Sequence, residues 1–151
     1  MSSLHSAWIA DSTHSSIVHE PDVSTTFLLD TNVLIDVAAG TPLGFSDDVL
    51  IQVSAISLVE LAAPRHMDLE AAESLIADVS SGEVIPLTRD ISRMAVELRT
   101  VQSLSVIDAC IAATACIKNA TLVTNDGQLR RHPVLTTCPF PLRLKEEVNN
   151  Q

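Results

Sequence analysis

The sequence predicts an α/β fold in which a central, mainly parallel sheet lies between two layers of helices. Short apolar runs of strand type alternate along the chain with segments whose apolar residues recur at helical spacing. The connections between the predicted strands are far longer than a hairpin loop, which favours parallel pairing with helices on both faces of the sheet. A chain of 151 residues, 46% of them hydrophobic, suits one such globular domain.

The first predicted unit is a strand that is followed at once by a helix. The apolar run 27–29 ends at Asp30, and apolar residues at helical spacing occupy 33–38 before Gly40 stops the pattern. Asp30 therefore lies at the exit of a buried strand, where open α/β sheets bind their ligands. An alternative role for its side chain is to cap the N-terminus of the helix.

The middle of the chain predicts a strand, two helices and an edge strand. Residues 49–55 have the composition of a strand, and the helix after it is expected to start at Ser57 and to end before Pro64. Residues 67–81 repeat apolar side chains at helical spacing. The short run 83–87 contains Pro86, which suits the edge or the end of a strand.

The last third predicts two helices and two strands. A helix starts at Thr88, and a second, apolar on nearly all sides, covers 106–118, which indicates a central position in the fold. Residues 121–124 form a strand that Asn125-Asp126-Gly127 breaks, and 134–144 supply one more strand.

Two polar segments flank the predicted domain. Residues 1–25 are rich in Ser and Thr and show no sustained periodicity, so we expect a flexible or loosely docked arm. Residues 146–151 form a polar tail, which leaves 26–145 as the domain.

The amino-acid composition indicates the cellular compartment in which the protein is expected. No apolar run approaches the roughly 20 residues that span a bilayer, and the N-terminus lacks the pattern of a signal peptide. We therefore expect a soluble, cytoplasmic protein with no membrane partner. Cys110, Cys116 and Cys138 have no CxxC spacing and are expected to be reduced residues of the core.

The charge distribution bears on a nucleic-acid partner. A formal charge of −10 and few aromatic residues argue against binding through a basic surface or through base stacking. However, all nine Lys and Arg residues follow position 64. An ordinary mixed-charge surface explains them as well as contacts with a polyanion do. The candidates for contacts with backbone phosphates are Arg89, Arg93, Arg130 and Arg131.

Four carboxylates occupy equivalent places in the predicted elements. Asp30 and Asp126 each follow a strand, and Glu60 and Asp108 each lie one turn into a helix. Right-handed crossovers bring successive strand ends to one edge of a parallel sheet, so the four acids are expected there. Each acid within a helix also lies three residues after a serine, which fits a capping box.

A cluster of this kind has a natural chemistry. Carboxylate oxygens without Cys or His ligands suit Mg²⁺ or Mn²⁺. Ions held by such groups activate water and stabilise the leaving oxygen in phosphoryl transfer. The four acids therefore indicate metal-assisted hydrolysis of a phosphate ester.

Four blocks of residues in this order and spacing carry a resemblance to a known family. Segments 27–36, 57–61, 108–115 and 122–126 resemble PIN-domain ribonucleases, and most closely the VapC-type toxins of bacterial toxin–antitoxin pairs. The resemblance covers about residues 26–142. It implies a three-layer α/β/α PIN-like domain and an endoribonuclease that depends on Mg²⁺ or Mn²⁺. It also implies a homodimer held inactive by a cognate antitoxin.

The resemblance assigns roles to individual residues. It implies that Asp30, Glu60, Asp108 and Asp126 form the acidic quartet, with Asn32 and Thr124 in supporting positions. In the resulting hypothesis, metal-activated water hydrolyses an RNA phosphodiester. Asp30 and Asp108 are then the main metal ligands and Asp126 completes their set, whereas Glu60 binds metal through water or orients the nucleophile.

Other readings of the same residues stay open. A PIN-like module without catalysis would bind RNA or a partner through the same surface. A phosphohydrolase that forms an aspartyl phosphate is a further alternative because Asp30 follows a strand, although such enzymes need a second acid where Asn32 stands. A phosphoacceptor domain of flavodoxin-like topology also places acids at strand ends, but it requires a lysine after a late strand.

Overall fold

The computed structural model describes residues 25–82 and 84–141, and the structural statements below refer to these residues. Four strands form one sheet in the order β2-β1-β3-β4, and all three neighbouring pairs are parallel. The α/β fold class with a parallel sheet is therefore confirmed. The strands are β1 (Thr26–Leu29), β2 (Leu50–Gln52), β3 (Thr121–Val123) and β4 (Thr137–Cys138).

Six helices connect and cover the strands. Each is preceded by a residue whose side chain accepts a hydrogen bond from a backbone N–H of the first turn, so every helix begins with a polar N-cap. The helices are α1 (Thr31–Ala38), α2 (Ala55–Leu61), α3 (Leu69–Val79), α4 (Arg89–Val101), α5 (Val106–Ile117) and α6 (Gly127–Arg130).

The alternation of side chains along the strands divides the core into two parts. Leu28 and Leu122 belong to one buried cluster together with residues of α4 and α5. Leu29 and Val123, one position further along, belong to the other cluster together with residues of α1, α2 and α3. Because successive residues of a strand point to opposite faces, the sheet is covered on both sides, and the fold has three layers.

Helix α5 is the central helix of the fold, as its sequence predicts. Seven consecutive residues, from Ala109 to Ala115, are buried. No single helix among the described residues is long and apolar enough to cross a membrane. Helices α4 and α5 meet that length and composition only together, across a bend of 115°.

The parallel register sets the geometry of the functional site. Leu28 pairs with Gln52, and Leu29 pairs with Val123, so β1, β2 and β3 end close to one another. The N–H of Asp30 donates to the carbonyl oxygen of Val123 at 3.0 Å, which continues the ladder by one residue. We call the side of the sheet where these three strands end the carboxyl edge.

Helix α2 begins earlier than the sequence analysis predicts. Ser54 is the N-cap, and its hydroxyl accepts the N–H of Ile56 at 3.1 Å. The expected start at Ser57, and with it the capping box to Glu60, is wrong. Ser57 instead lies inside the helix and is fully buried.

Three other segments are shorter than predicted or take another form. The predicted strand 83–87 is reduced to a single bridge between Ser54 and Ile85, since the following Pro86 has no N–H to continue a ladder. The turn at Asn125-Asp126-Gly127 leads directly into α6. The final strand has only two residues. Residues 1–24 of the predicted arm and the whole predicted tail lie outside the described residues.

Candidate active site at the carboxyl edge

Asp30 is the most buried acid of the carboxyl edge. Only 5% of the residue is exposed, and both oxygens of its carboxylate accept hydrogen bonds. Oδ1 accepts the N–H of Thr31 at 2.8 Å, and Oδ2 accepts the hydroxyl of Thr124 at 2.7 Å. Asp30 therefore caps α1, and Thr124, which directly follows β3, fixes the second oxygen.

Burial raises the pKa of Asp30 above its usual value. The hydrogen bonds from Thr124 and Thr31 lower this pKa, and the negative charges of Asp108 and Glu60 raise it. Among the described residues, the groups that act on Asp30 include no cation. The carboxyl edge thus collects negative charge around a desolvated carboxylate, which a bound cation would relieve.

Glu60 reaches the site from the second turn of α2. Its Oε1 lies 2.6 Å from the hydroxyl oxygen of Thr31, the residue next to Asp30. The same hydroxyl lies 3.0 Å from that of Ser57. Ser57 and Glu60 are three residues apart and so share one face of the helix, which here faces α1.

Asp108 lies in the first turn of α5 and is partly buried. Its N–H donates to the hydroxyl of Ser105 at 3.1 Å, which is one half of the predicted capping box. Its carboxylate accepts no hydrogen bond from the described part of the chain, so the other half is missing. The carboxylate remains available at the edge, and its charge acts on Asp30.

Asp126 is held at the edge by hydrogen bonds with backbone N–H groups. Its Oδ1 accepts the N–H groups of Gln128 and Leu129 at 2.9 and 3.0 Å, which caps α6. Its own N–H donates to the hydroxyl of Thr124 at 3.1 Å. Thr124 thereby connects Asp126 to Asp30. Asp126 is not among the charges that raise the pKa of Asp30.

The remaining predicted site residues are exposed. The side chain of Asn32 makes no hydrogen bond to the acids within residues 25–82 and 84–141, and its supporting role stays a prediction. Arg130 is the last residue of α6, which Asp126 caps, and Arg131 directly follows it. Arg89 and Arg93 lie in the first half of α4, whose far end contacts α6 where Gln102 bonds the carbonyl of Gln128 at 3.1 Å.

The residues present fit a hard divalent cation. No three His, Cys, Asp or Glu side chains in the described part of the chain converge closely enough to enclose an ion by themselves. Mg²⁺ does not need such an enclosure, because it retains several waters and binds through one or two carboxylates and substrate phosphates. Asp30 and Asp108 offer oxygens only, which is the donor set that Mg²⁺ and Mn²⁺ prefer.

The sequence analysis missed two residues of the site. Thr31 and Ser57 connect Asp30 to Glu60, whereas the sequence pattern predicts a helix cap at Ser57 and no role for Thr31. A usable signal was present, since a hydroxyl three residues before Glu60 must lie on the same helix face.

Known structures share the overall fold of this chain. A chain of the VapBC2 complex from Rickettsia felis, bound to a promoter DNA fragment, is 25% identical, with a TM-score of 0.61 over 76% of this chain and 98% of its own. A toxin–antitoxin complex from Klebsiella pneumoniae is 26% identical, with a TM-score of 0.58 over 72% and 93% of the two chains.

A third structure supports the fold alone. VapBC-5 from Mycobacterium tuberculosis is 22% identical, with a TM-score of 0.55 over 80% of this chain and 99% of its own. A comparison with curated proteins finds no match. The sequence profile of the PIN domain matches residues 27–135, the span that carries all four acids. The chain therefore belongs to the PIN domain family, whose members are generally nucleases that use divalent metal ions.

Proposed function

We propose that this protein is an endoribonuclease that depends on Mg²⁺ or Mn²⁺ and hydrolyses RNA phosphodiester bonds. The observation that carries the proposal is the position of Asp30, which is buried at the carboxyl edge with the charges of Asp108 and Glu60 acting on it. Burial and neighbouring negative charges raise the free energy of an ionised carboxylate, and a bound cation lowers it again. The PIN domain match supports nuclease chemistry at this edge.

In the proposed mechanism, each of the four acids has its own role. Asp30 and Asp108 would hold the metal, and Asp126 would complete the set at the same edge. When bound, the metal supplies Lewis acidity, which lowers the pKa of water and stabilises negative charge on the phosphate. Thr124 keeps the Asp30 carboxylate in one orientation through its hydrogen bond to Oδ2. Glu60 would bind the metal through water or orient the attacking water.

RNA would approach the edge along its exposed arginines. Arg130 and Arg131 lie nearest, because one turn of α6 separates them from Asp126. They would contact backbone phosphates without reading the sequence of the RNA. Arg89 and Arg93 would extend this contact along α4, about 20 Å and about 14 Å from the end that contacts α6, at 1.5 Å per helical residue.

We further propose that the protein is the toxin of a toxin–antitoxin pair. The likeness to chains of the Rickettsia felis and Klebsiella pneumoniae complexes supports this role, as those structures are of toxin–antitoxin complexes. A cognate antitoxin would then be the protein partner, the toxin would form a homodimer, and an RNA substrate would place its action in the cytoplasm.

The test is cleavage of single-stranded RNA by the purified protein in Mg²⁺ or Mn²⁺, with and without EDTA. The Asp30→Asn, Asp108→Asn double variant should lose activity by about 10³-fold or more, the equivalent of several kcal/mol of transition-state stabilisation. Asp36→Asn is the matched control, because Asp36 is an exposed acid of α1 that lies outside the site.

The alternatives predict other outcomes. Full activity in the double variant would refute the assignment of the metal ligands. A wild-type protein that binds RNA without cleaving it would favour the binding module. A phosphoryl group trapped on Asp30 would favour the phosphohydrolase.

A further inference from the structure

The hydroxyl of Thr31 lies at the meeting point of two helices. It contacts Oε1 of Glu60 at 2.6 Å and the hydroxyl of Ser57 at 3.0 Å, and both of these residues belong to α2. The N–H of the same Thr31 donates to Oδ1 of Asp30 at 2.8 Å. One residue of α1 therefore contacts both an acid that follows β1 and an acid of α2.

The direction of these hydrogen bonds follows from the number of protons. A hydroxyl has one proton to donate, and a carboxylate has none. The Thr31 proton therefore goes to Glu60, and the Ser57 proton goes to Thr31. The result is a chain of hydrogen bonds from Ser57 through Thr31 to Oε1 of Glu60, in which each member polarises the next.

The other oxygen of Glu60 is left unoccupied by this chain. Within the described residues, Oε2 accepts no hydrogen bond, and Glu60 is only partly buried. With Oε1 fixed by Thr31, rotation of the carboxylate about its terminal bond is restricted. Oε2 of Glu60 is therefore left without a hydrogen-bond partner among the described residues, in a set orientation.

The location of Ser57 indicates that the chain of hydrogen bonds orients a residue of the site and does not stabilise the start of α2. Ser57 has no exposed surface and lies in the third position of α2, where Ser54 already provides the cap. Serine is a weaker helix former than alanine in such a position, since its hydroxyl competes for backbone groups. A buried hydroxyl there requires a partner, and Thr31 is that partner.

We propose that Thr31 and Ser57 are positioning residues that hold Glu60 through Oε1, so that Oε2 alone orients the attacking water. This inference rests on the proposed nuclease function. It assigns to Glu60 the role of orienting the nucleophile, which the sequence analysis left open beside metal binding through water. Thr31 and Ser57 do not contact the reacting atoms themselves.

The first test removes one hydroxyl at a time. Thr31→Val keeps the β-branched shape and the N–H that Asp30 accepts, and Ser57→Ala removes the first donor of the chain. We expect either change to lower kcat for RNA cleavage by roughly 10–100-fold, the usual cost of losing a group that orients an active-site ligand. KM should stay close to the wild-type value, and Thr31→Ser should restore kcat.

A matched control distinguishes positioning from a general effect on folding. Thr114 is also a buried threonine, and its hydroxyl donates to the carbonyl oxygen of Cys110 at 2.7 Å within α5. Thr114→Val should leave kcat unchanged. An unchanged kcat in Thr31→Val, or an equal loss in Thr114→Val, would overturn the inference while leaving the proposed function intact.

A second test asks whether Thr31 acts through Glu60. In a Glu60→Ala background, which removes the acceptor of the Thr31 hydroxyl, Thr31→Val should lower kcat no further, whereas independent roles would multiply the two losses. The same four proteins also form a cycle for urea unfolding, which does not require activity. We expect the double variant to lower the urea midpoint by less than the sum of the single variants.

The two tests separate the failure of the inference from that of the function. A wild-type protein without RNase activity would refute the proposed function, and the urea cycle would still measure the coupling of Thr31 to Glu60. Additive shifts of the midpoint would overturn the positioning of Glu60 in either case.

Discussion

A substitution of Thr124 tests the stability of the fold and the hydrogen bonds of the site in one experiment. Thr124 has no exposed surface, donates to Oδ2 of Asp30 at 2.7 Å and accepts the N–H of Asp126 at 3.1 Å. Thr124→Val removes both hydrogen bonds and retains the β-branched shape of the side chain. The variant therefore changes the polar contacts with little change in packing.

The expected magnitude follows from the two contacts. A hydrogen bond to a charged group contributes about 1.5–3 kcal/mol, and an ordinary hydrogen bond contributes about 0.5–1.5 kcal/mol. Thr124→Val should therefore lower the free energy of unfolding by about 2–4 kcal/mol. For a chain of this size, that loss corresponds to a decrease in Tm of roughly 4–16 °C.

Urea and thermal unfolding of the metal-free protein measure this effect. Thr114→Val is again the control. The hydroxyl of Thr114 donates to a carbonyl oxygen within a helix, and the helical hydrogen bond that this oxygen accepts from a backbone N–H is kept in the variant. The substitution should cost less than about 1 kcal/mol. A Thr124→Val variant as stable as Thr114→Val would show that the contacts between Thr124 and the two acids contribute nothing, and would refute the reasoning.

Three more predictions concern Asp30, Ser54 and Cys110. Because burial raises the pKa of Asp30, the metal-free folded protein binds protons more tightly than the unfolded chain. Wild-type stability relative to Asp30→Asn should therefore increase as pH falls from 7 through this pKa. A wild type that loses stability relative to the variant as pH falls would contradict this. Ser54→Ala should lower the free energy of unfolding by about 0.5–2 kcal/mol in a urea titration, since it removes the N-cap of α2. An unaltered midpoint would exclude the cap. Burial raises the pKa of the Cys110 thiol, so a thiol reagent should modify it far more slowly in native protein than in urea, and equal rates would count against its burial.

Much of the fold could be predicted from the sequence because its signals are local. The strand that ends at Asp30 and the apolar helix α5 follow from periodicity within each segment. The parallel arrangement follows from the length of the connections. These features place the acids at one edge before any long-range contact is known.

The start of α2 could not be predicted, because two serines compete for the cap. Ser54 and Ser57 both precede apolar residues at helical spacing, and both are compatible with a helix start. The choice depends on Thr31, which lies 26 positions from Ser57 along the chain and accepts its hydroxyl only in the folded protein. Local propensity contains no information on such a partner.

The same limit applies to the links within the site. Thr124 and Asp30 are 94 positions apart, and Thr31 and Glu60 are 29 positions apart. The sequence places the acids on equivalent elements, but only the sheet register and the packing of α2 on α1 determine which hydroxyl contacts which carboxylate. Residue types at strand ends therefore predict the chemistry better than its supporting contacts.

The binding of a divalent cation at Asp30 tests the central claim most directly. Wild-type Tm in Mn²⁺ should exceed Tm in EDTA, because a ligand that binds only the folded state stabilises it by about 2.7 kcal/mol at one hundred times its Kd. Asp36→Asn should respond in the same way, and the Asp30→Asn, Asp108→Asn double variant should not respond. An equal Tm in Mn²⁺ and EDTA for the wild type, or an undiminished response in the double variant, would contradict a metal site at the carboxyl edge.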